Sequence, residues 1–110
     1  MENNDINQYI IITTTFDNKD ELNKVSKILL EERLVSCCQV YNIESSYWWK
    51  DNIIDANEYL LKMKTKKELY KEVERIILEN HSYEVPEIIT YNIEDGYSKY
   101  LNWIDKETTK

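Results

Sequence analysis

Residues 35–65 constrain the fold more than any other stretch: VSCCQVYNIESSYWWKDNIIDANEYLLKMKT. β-Branched and aromatic side chains recur with a short period on both sides of Asp51-Asn52, as they do on pleated, half-buried surfaces. Asp51-Asn52 is expected to supply a two-residue hairpin turn, because Asp and Asn tolerate left-handed backbone. The two arms, Val35 to Lys50 and Ile53 to Thr65, run about 15 residues each, or roughly 50 Å. A helix of about 16 residues, which the flanking patterns allow, covers only about 24 Å. The hairpin must therefore outrun any helix packed on it. Its outer half is apolar, with Tyr47, Trp48, Trp49, Ile53 and Ile54. Trp48 and Trp49 point to opposite faces, so a single core face cannot bury both. Such a patch marks an interface, unless the hairpin coils back onto its own sheet. These five residues are the expected oligomer contact.

The flanks read as alternating elements. Gln8 to Thr15 (QYIIITTT) is a nearly continuous β-branched run, as in a central strand. Asn18-x-x-Glu21 resembles a capping box. It opens a helix to about Leu34, with Leu22, Val25, Ile28 and Leu29 on one face. Thr65-x-x-Glu68 looks like a second capping box, ahead of Leu69, Val73, Ile76 and Ile77. Pro86 to Glu94 is extended, Asp95-Gly96 ends it, and Tyr97 to Asp105 is a short helix that offers Tyr100, Leu101, Trp103 and Ile104 for docking.

The order is β-α-β-β-α-β plus a helix. It predicts an α+β, ferredoxin-like sandwich: an antiparallel sheet of order 4-1-3-2 with two helices on one face. Residues 1–110 form one domain, with 1–7 and 106–110 frayed. Strands two and four are edges. Joining them between subunits is heterologous and must close as a ring or run on as a filament. A trimer is the simplest ring, and a dimer stays open.

The net charge of −7 argues against a nucleic-acid partner. No apolar run approaches the ~18 residues that span a bilayer. The acidic, polar Met1–Asp5 is not a targeting peptide. A cytoplasmic address follows as an expectation, with Cys37 and Cys38 reduced. A bridge between these two neighbours would be strained, and their spacing matches no zinc pattern.

The junction ENHSYEVPEII, residues 79–89, holds the only His and the only Pro. His81 is expected at a helix C-terminus, where the dipole favours imidazolium. Pro86 suits a strand start. The junction reads either as a cation or small-ligand site or as a plain capped turn. Among thiols, imidazole and carboxylates, the candidate ligands are Cys37, Cys38, His81, Glu84, Glu87 and Glu58. Cys37, His81 and Glu84 are the metal set carried forward. Each has a plainer role open to it: Cys37 as a small buried apolar residue, Glu58 as a solvated residue or Lys62's partner, Tyr83 as a docked ring. Topology puts Cys37 and His81 at opposite ends of one subunit, so they could meet only across an interface. No nucleophile triad, phosphate loop or HExxH is present, so no catalysis is expected.

The chain resembles the CutA divalent-cation tolerance proteins from about residue 9 to 104. The match rests on Leu34-Val35-Ser36-Cys37, on Tyr47-Trp48-Trp49-Lys50 and on Glu58 to Thr65 (EYLLKMKT). It rests also on His81 to Ile89, against the family's His-Pro-Tyr-Glu-Val-Pro-Glu-Ile, and on Tyr100-Leu101-x-Trp103. Ser82 stands where the family usually has Pro, and Asp51 where Gly is common. Cys38 is an extra thiol where an apolar residue is more usual. The resemblance implies a homotrimer with hairpins wrapping neighbours. It implies tolerance to divalent cations, with copper or another divalent cation as a non-obligatory ligand. The alternative is a trimeric sensor of a small anion, like the PII-type signalling proteins. The short hairpin turn and acidic charge weigh against it.

Overall fold

The computed structural model describes residues 8–109. The elements are β1 (Tyr9–Phe16), α1 (Lys19–Glu31), β2 (Cys37–Trp49), β3 (Asn52–Lys66), a 3-10 turn (Lys67–Leu69), α2 (Tyr70–Asn80), β4 (Ile88–Asn92) and α3 (Ser98–Glu107). The sheet is antiparallel in the order β2-β3-β1-β4, the arrangement expected. Alternation along β1 sorts its side chains between two faces. Ile10, Ile12 and Phe16 face α1 and α2, where they meet Leu22, Val25, Leu29, Val73 and Ile77 in one core. Tyr9 faces the other way and packs with Leu101 and Ile104 of α3. That second face is covered only at the α3 end. Farther along it, Tyr41, Ile89 and Tyr91 are 46%, 42% and 53% exposed.

The pairing shows how far the hairpin projects. β1 meets β3 only from Lys66 to Tyr59, so residues 52–58 pair with β2 alone. The chain is accordingly elongated, 51 × 26 × 21 Å.

Several boundaries differ from the sequence reading, each for a local reason. Helix one stops at Glu31 instead of Leu34. Arg33 turns left-handed (φ 60°), and Arg33 N–H and Leu34 N–H bond back to the carbonyls of Leu30 and Leu29, which is a Schellman closure. The hairpin turn is Lys50-Asp51, one residue early, with φ of 50° and 65°. The in-register pair Trp49–Asn52 leaves only those two residues between the strands. The first capping box is half formed. Asn18 Oδ1 accepts from Glu21 N at 3.0 Å, but the Glu21 carboxylate instead accepts from Ser82 N and Oγ. Thr65 caps nothing: it still belongs to β3 and donates its hydroxyl to the Leu34 carbonyl at 2.6 Å. Strand four is Ile88–Asn92, shorter than Pro86 to Glu94.

The tail from Lys106 is not frayed as far as Thr109. α3 continues to Glu107, Thr108 is buried with its hydroxyl on the Ile104 carbonyl, and Thr109 N–H bonds to the Arg33 carbonyl at 2.7 Å. The fraying expected for residues 1–7 lies outside the described residues. α3 docks through Leu101 and Ile104, while Tyr100 and Trp103 stack on each other at 5.5 Å, both partly exposed.

Candidate functional site

The junction after α2 is built around His81. The helix ends at Asn80, and His81 is extended (φ −100°, ψ 136°). His81 thus stands at the helix end, as expected. It stacks on Phe16 at 4.3 Å and 11°, and its side chain is 1% exposed. Nε2 lies 2.7 Å from the Thr15 carbonyl, so it donates. Nδ1 accepts from Tyr83 N–H at 3.2 Å. These two bonds are those of the neutral Nε2–H tautomer. Glu21 Oε2 is farther from Nδ1, at 3.5 Å, and is occupied by Ser82. Both ring nitrogens are therefore used, and His81 acts as a brace that ties β1 to Tyr83. Truncation to Ala would strand one buried carbonyl and one N–H, which cost about 1–3 kcal/mol each. His81→Ala should lower the unfolding free energy by about 3 kcal/mol in urea titrations. An unchanged midpoint would show that the brace carries nothing.

Tyr83, so positioned, reaches the sheet. Its hydroxyl donates to Glu58 Oε2 at 2.6 Å. Glu58 is only 6% exposed. Burial, and next the hydrogen bond to Glu58 and that carboxylate's charge, push the Tyr83 phenol well above its ordinary value. The pair sits at the side of a cleft of about 760 Å³. One wall is the hairpin at Ser45–Trp49 with Glu58, and the other is Tyr83, Glu84, Val85 and Glu87. Lys50 leans across the mouth, 4.0 Å from Glu84.

The thiols lie elsewhere. Cys37 pairs with Lys64 in the hairpin register, and its sulfur is 3.9 Å from the Tyr100 hydroxyl. Burial, and secondarily the nearby thiol, raise the Tyr100 phenol to about 12. Cys38 points the other way, against the core beneath the helices. Burial raises its thiol, partly offset by a hydrogen bond with Ser26 and reinforced by Cys37.

The family model for the CutA1 divalent ion tolerance protein matches residues 10–107, nearly the whole chain. The chain belongs to this family. A divalent-cation tolerance protein CutA of Pyrococcus horikoshii is 38% identical over 92% of this chain and 99% of its own length. The CutA1 crystal structure from Oryza sativa superposes with a TM-score of 0.89 at 32% identity, covering 94% of this chain and 95% of that one. The periplasmic divalent cation tolerance protein CutA of Archaeoglobus fulgidus gives 0.87 at 33% identity, over 90% and 97%.

In this CutA1 chain the three carried metal candidates are dispersed. His81 is locked against Phe16, Glu84 is exposed beside Lys50, and Cys37 lies beside Tyr100 at the other end of β3. Among the described residues no group of three or more His, Cys, Asp or Glu could hold a metal ion. Among the described residues of one chain, these candidates therefore do not come together as a donor set. Of the hairpin residues, Trp48 and Ile53 are 72% and 62% exposed, Tyr47 and Trp49 about half that, and Ile54 is half-buried. The sequence reading missed the Glu58–Tyr83 pair and offered Lys62 to Glu58. Lys62 instead lies over the Tyr41 ring, 5.2 Å from its centroid. Glu58 and Tyr83 are 25 residues apart in the chain, and only the β1–β3 register joined to the His81 brace brings them together.

Proposed function

We propose that this CutA1 chain works as a homotrimer in divalent-cation tolerance, binding a soft cation such as copper without catalysing a reaction. The observation that carries the assembly is the projecting hairpin. Bulky apolar side chains stand in solvent on the outer half of the strand pair, where residues 52–58 pair with β2 alone. The open sheet face and the unpaired edges of β2 and β4 support the same reading. For the cation, Cys37 is the best soft donor, because it is half-buried at the α3 end of that face and forms no disulfide. Its further ligands would come from neighbouring subunits, since the described residues of one chain offer no such set. The two free thiols favour a reducing, cytoplasmic address.

Native mass spectrometry with and without copper tests both parts. The expected result is three chains that take up copper, with uptake lost in Cys37→Ser and kept in Cys38→Ser. A single chain, or copper retained by Cys37→Ser, would overturn the corresponding part.

A further inference from the structure

β3 carries three lysines at alternate positions: Lys62, Lys64 and Lys66. Alternation puts them on one face of the sheet, about 7 Å apart. The register fixes which face. Lys66 stands beside Tyr9, which packs with Leu101 and Ile104 of α3. Lys64 lies next, between Ile11 and Cys37, and Lys62 after it, between Thr13 and Gln39. The row therefore starts beneath α3 and runs out onto the open face. It is a positive strip on a chain with 21 acidic and 14 basic residues.

Lys66 shows what the row takes where it is covered. Its side chain is 8% exposed, and its ammonium lies 3.7 Å from the Asp105 carboxylate of α3. Lys64 and Lys62 are half-buried, but no carboxylate among the described residues pairs with either. Lys64 donates to the neutral Gln39 amide at 2.8 Å and lies 5.7 Å from the centroid of the Tyr100 ring. Lys62 lies over the Tyr41 ring. Its hydrogen bond, and next its charge, hold the Tyr41 phenol below the ordinary value. Tyr41, Ile89 and Tyr91 are exposed on the same face, a composition that suits the core of an interface. Covering this face without a carboxylate would bury two unpaired ammoniums, which is costly. Whatever covers it must bring acid groups.

A second copy of the chain meets that need, with its net charge of −7. The face also runs along β2 into the projecting hairpin, so the two surfaces are continuous. Because acidic copies repel one another elsewhere, a lone positive strip fixes which surfaces meet. We propose that Lys62 and Lys64 dock a neighbouring copy, whose carboxylates complete the row as Asp105 completes it at Lys66. The inference rests on the homotrimer reading and adds its electrostatic register; it does not depend on copper.

The test uses the full chain at natural abundance and labelled with nitrogen-15. The two are unfolded in urea, mixed, refolded together and treated with a carbodiimide, which joins an ammonium to a carboxylate only where the two already touch. Peptide mapping should find Lys62 or Lys64 linked to an Asp or Glu peptide of the opposite label. Lys62→Glu with Lys64→Glu should raise the dissociation constant about a hundredfold or more in sedimentation, with the parent's circular dichroism. Lys24→Glu with Lys27→Glu makes the same change of net charge on exposed positions of α1 and should assemble like the parent. A trimer with no mixed-label link from Lys62 or Lys64 overturns the inference and leaves the trimer standing. Parent-like assembly of the Lys62→Glu, Lys64→Glu chain does the same. If that chain fails to fold, the link map of the parent decides alone. A parent that stays a single chain overturns the trimer reading and this inference with it.

Discussion

Replacing Trp48 and Trp49 together by Ala should leave the chain folded but unassembled. In the single chain Trp48 is 72% and Trp49 36% exposed, so truncation of Trp48 removes little packing inside one subunit, and that of Trp49 removes some. The cost falls on association, where a buried tryptophan anchor is typically worth about 2–4 kcal/mol. Two such losses correspond to a rise of several orders of magnitude in the dissociation constant. Sedimentation velocity should show the shift to single chains, while circular dichroism keeps the parent's strand and helix content. An oligomer of unchanged size and thermal stability would mean that the hairpin is not the contact.

Tyr83→Phe should have an effect with two signatures. At neutral pH it removes the donor from the buried Glu58 carboxylate, for a loss of about 2 kcal/mol. At alkaline pH the difference narrows. Burial and Glu58 hold the Tyr83 phenol above its ordinary value, while in the unfolded chain it ionises near pH 10. Above that pH the folded state binds more protons than the unfolded state, so stability falls as pH rises. The stability is thus full below about pH 10 and lost beyond it. Phe cannot ionise, so the variant's stability should decline less steeply there. Tyr9, Tyr70 and Tyr100 are raised too, so some alkaline decline remains in both proteins, and the difference between them reports Tyr83. Parallel curves above pH 10 would show that Tyr83 does not control this part of the titration.

The fold was legible because its determinants are periodic and local. The apolar stripe Leu22, Val25, Leu29 and the continuous run of β1 declare their elements, and a hairpin between two helices leaves few topologies. Even the separation of Cys37 from His81 follows from strand direction alone. The site was less legible because it depends on register and long-range contact. His81 stands at the helix terminus as expected, yet its carbonyl partner, Thr15, is 66 residues away. Lys50 has no intrinsic taste for left-handed backbone, but adopts it because pairing of Trp49 with Asn52 allows two turn residues and no more. Thr65 carries a capping pattern, but the Leu34 carbonyl claims its hydroxyl first. For His81 and Thr65 a short pattern names a plausible local role, and a distant carbonyl takes the side chain because burial requires it to be satisfied.

The adjacent thiols of β2 make this strand a two-sided gauge. Cys38 lies against the core beneath the helices, with its thiol raised by burial, and Cys37 lies on the opposite face beside Tyr100. A labelling reagent that reaches Cys37 reports that the face beside α3 is accessible. One that reaches Cys38 reports that the helices have lifted from the sheet. Two sulfurs one residue apart can thus report the two faces of the sheet independently, within the same molecule and without an added probe.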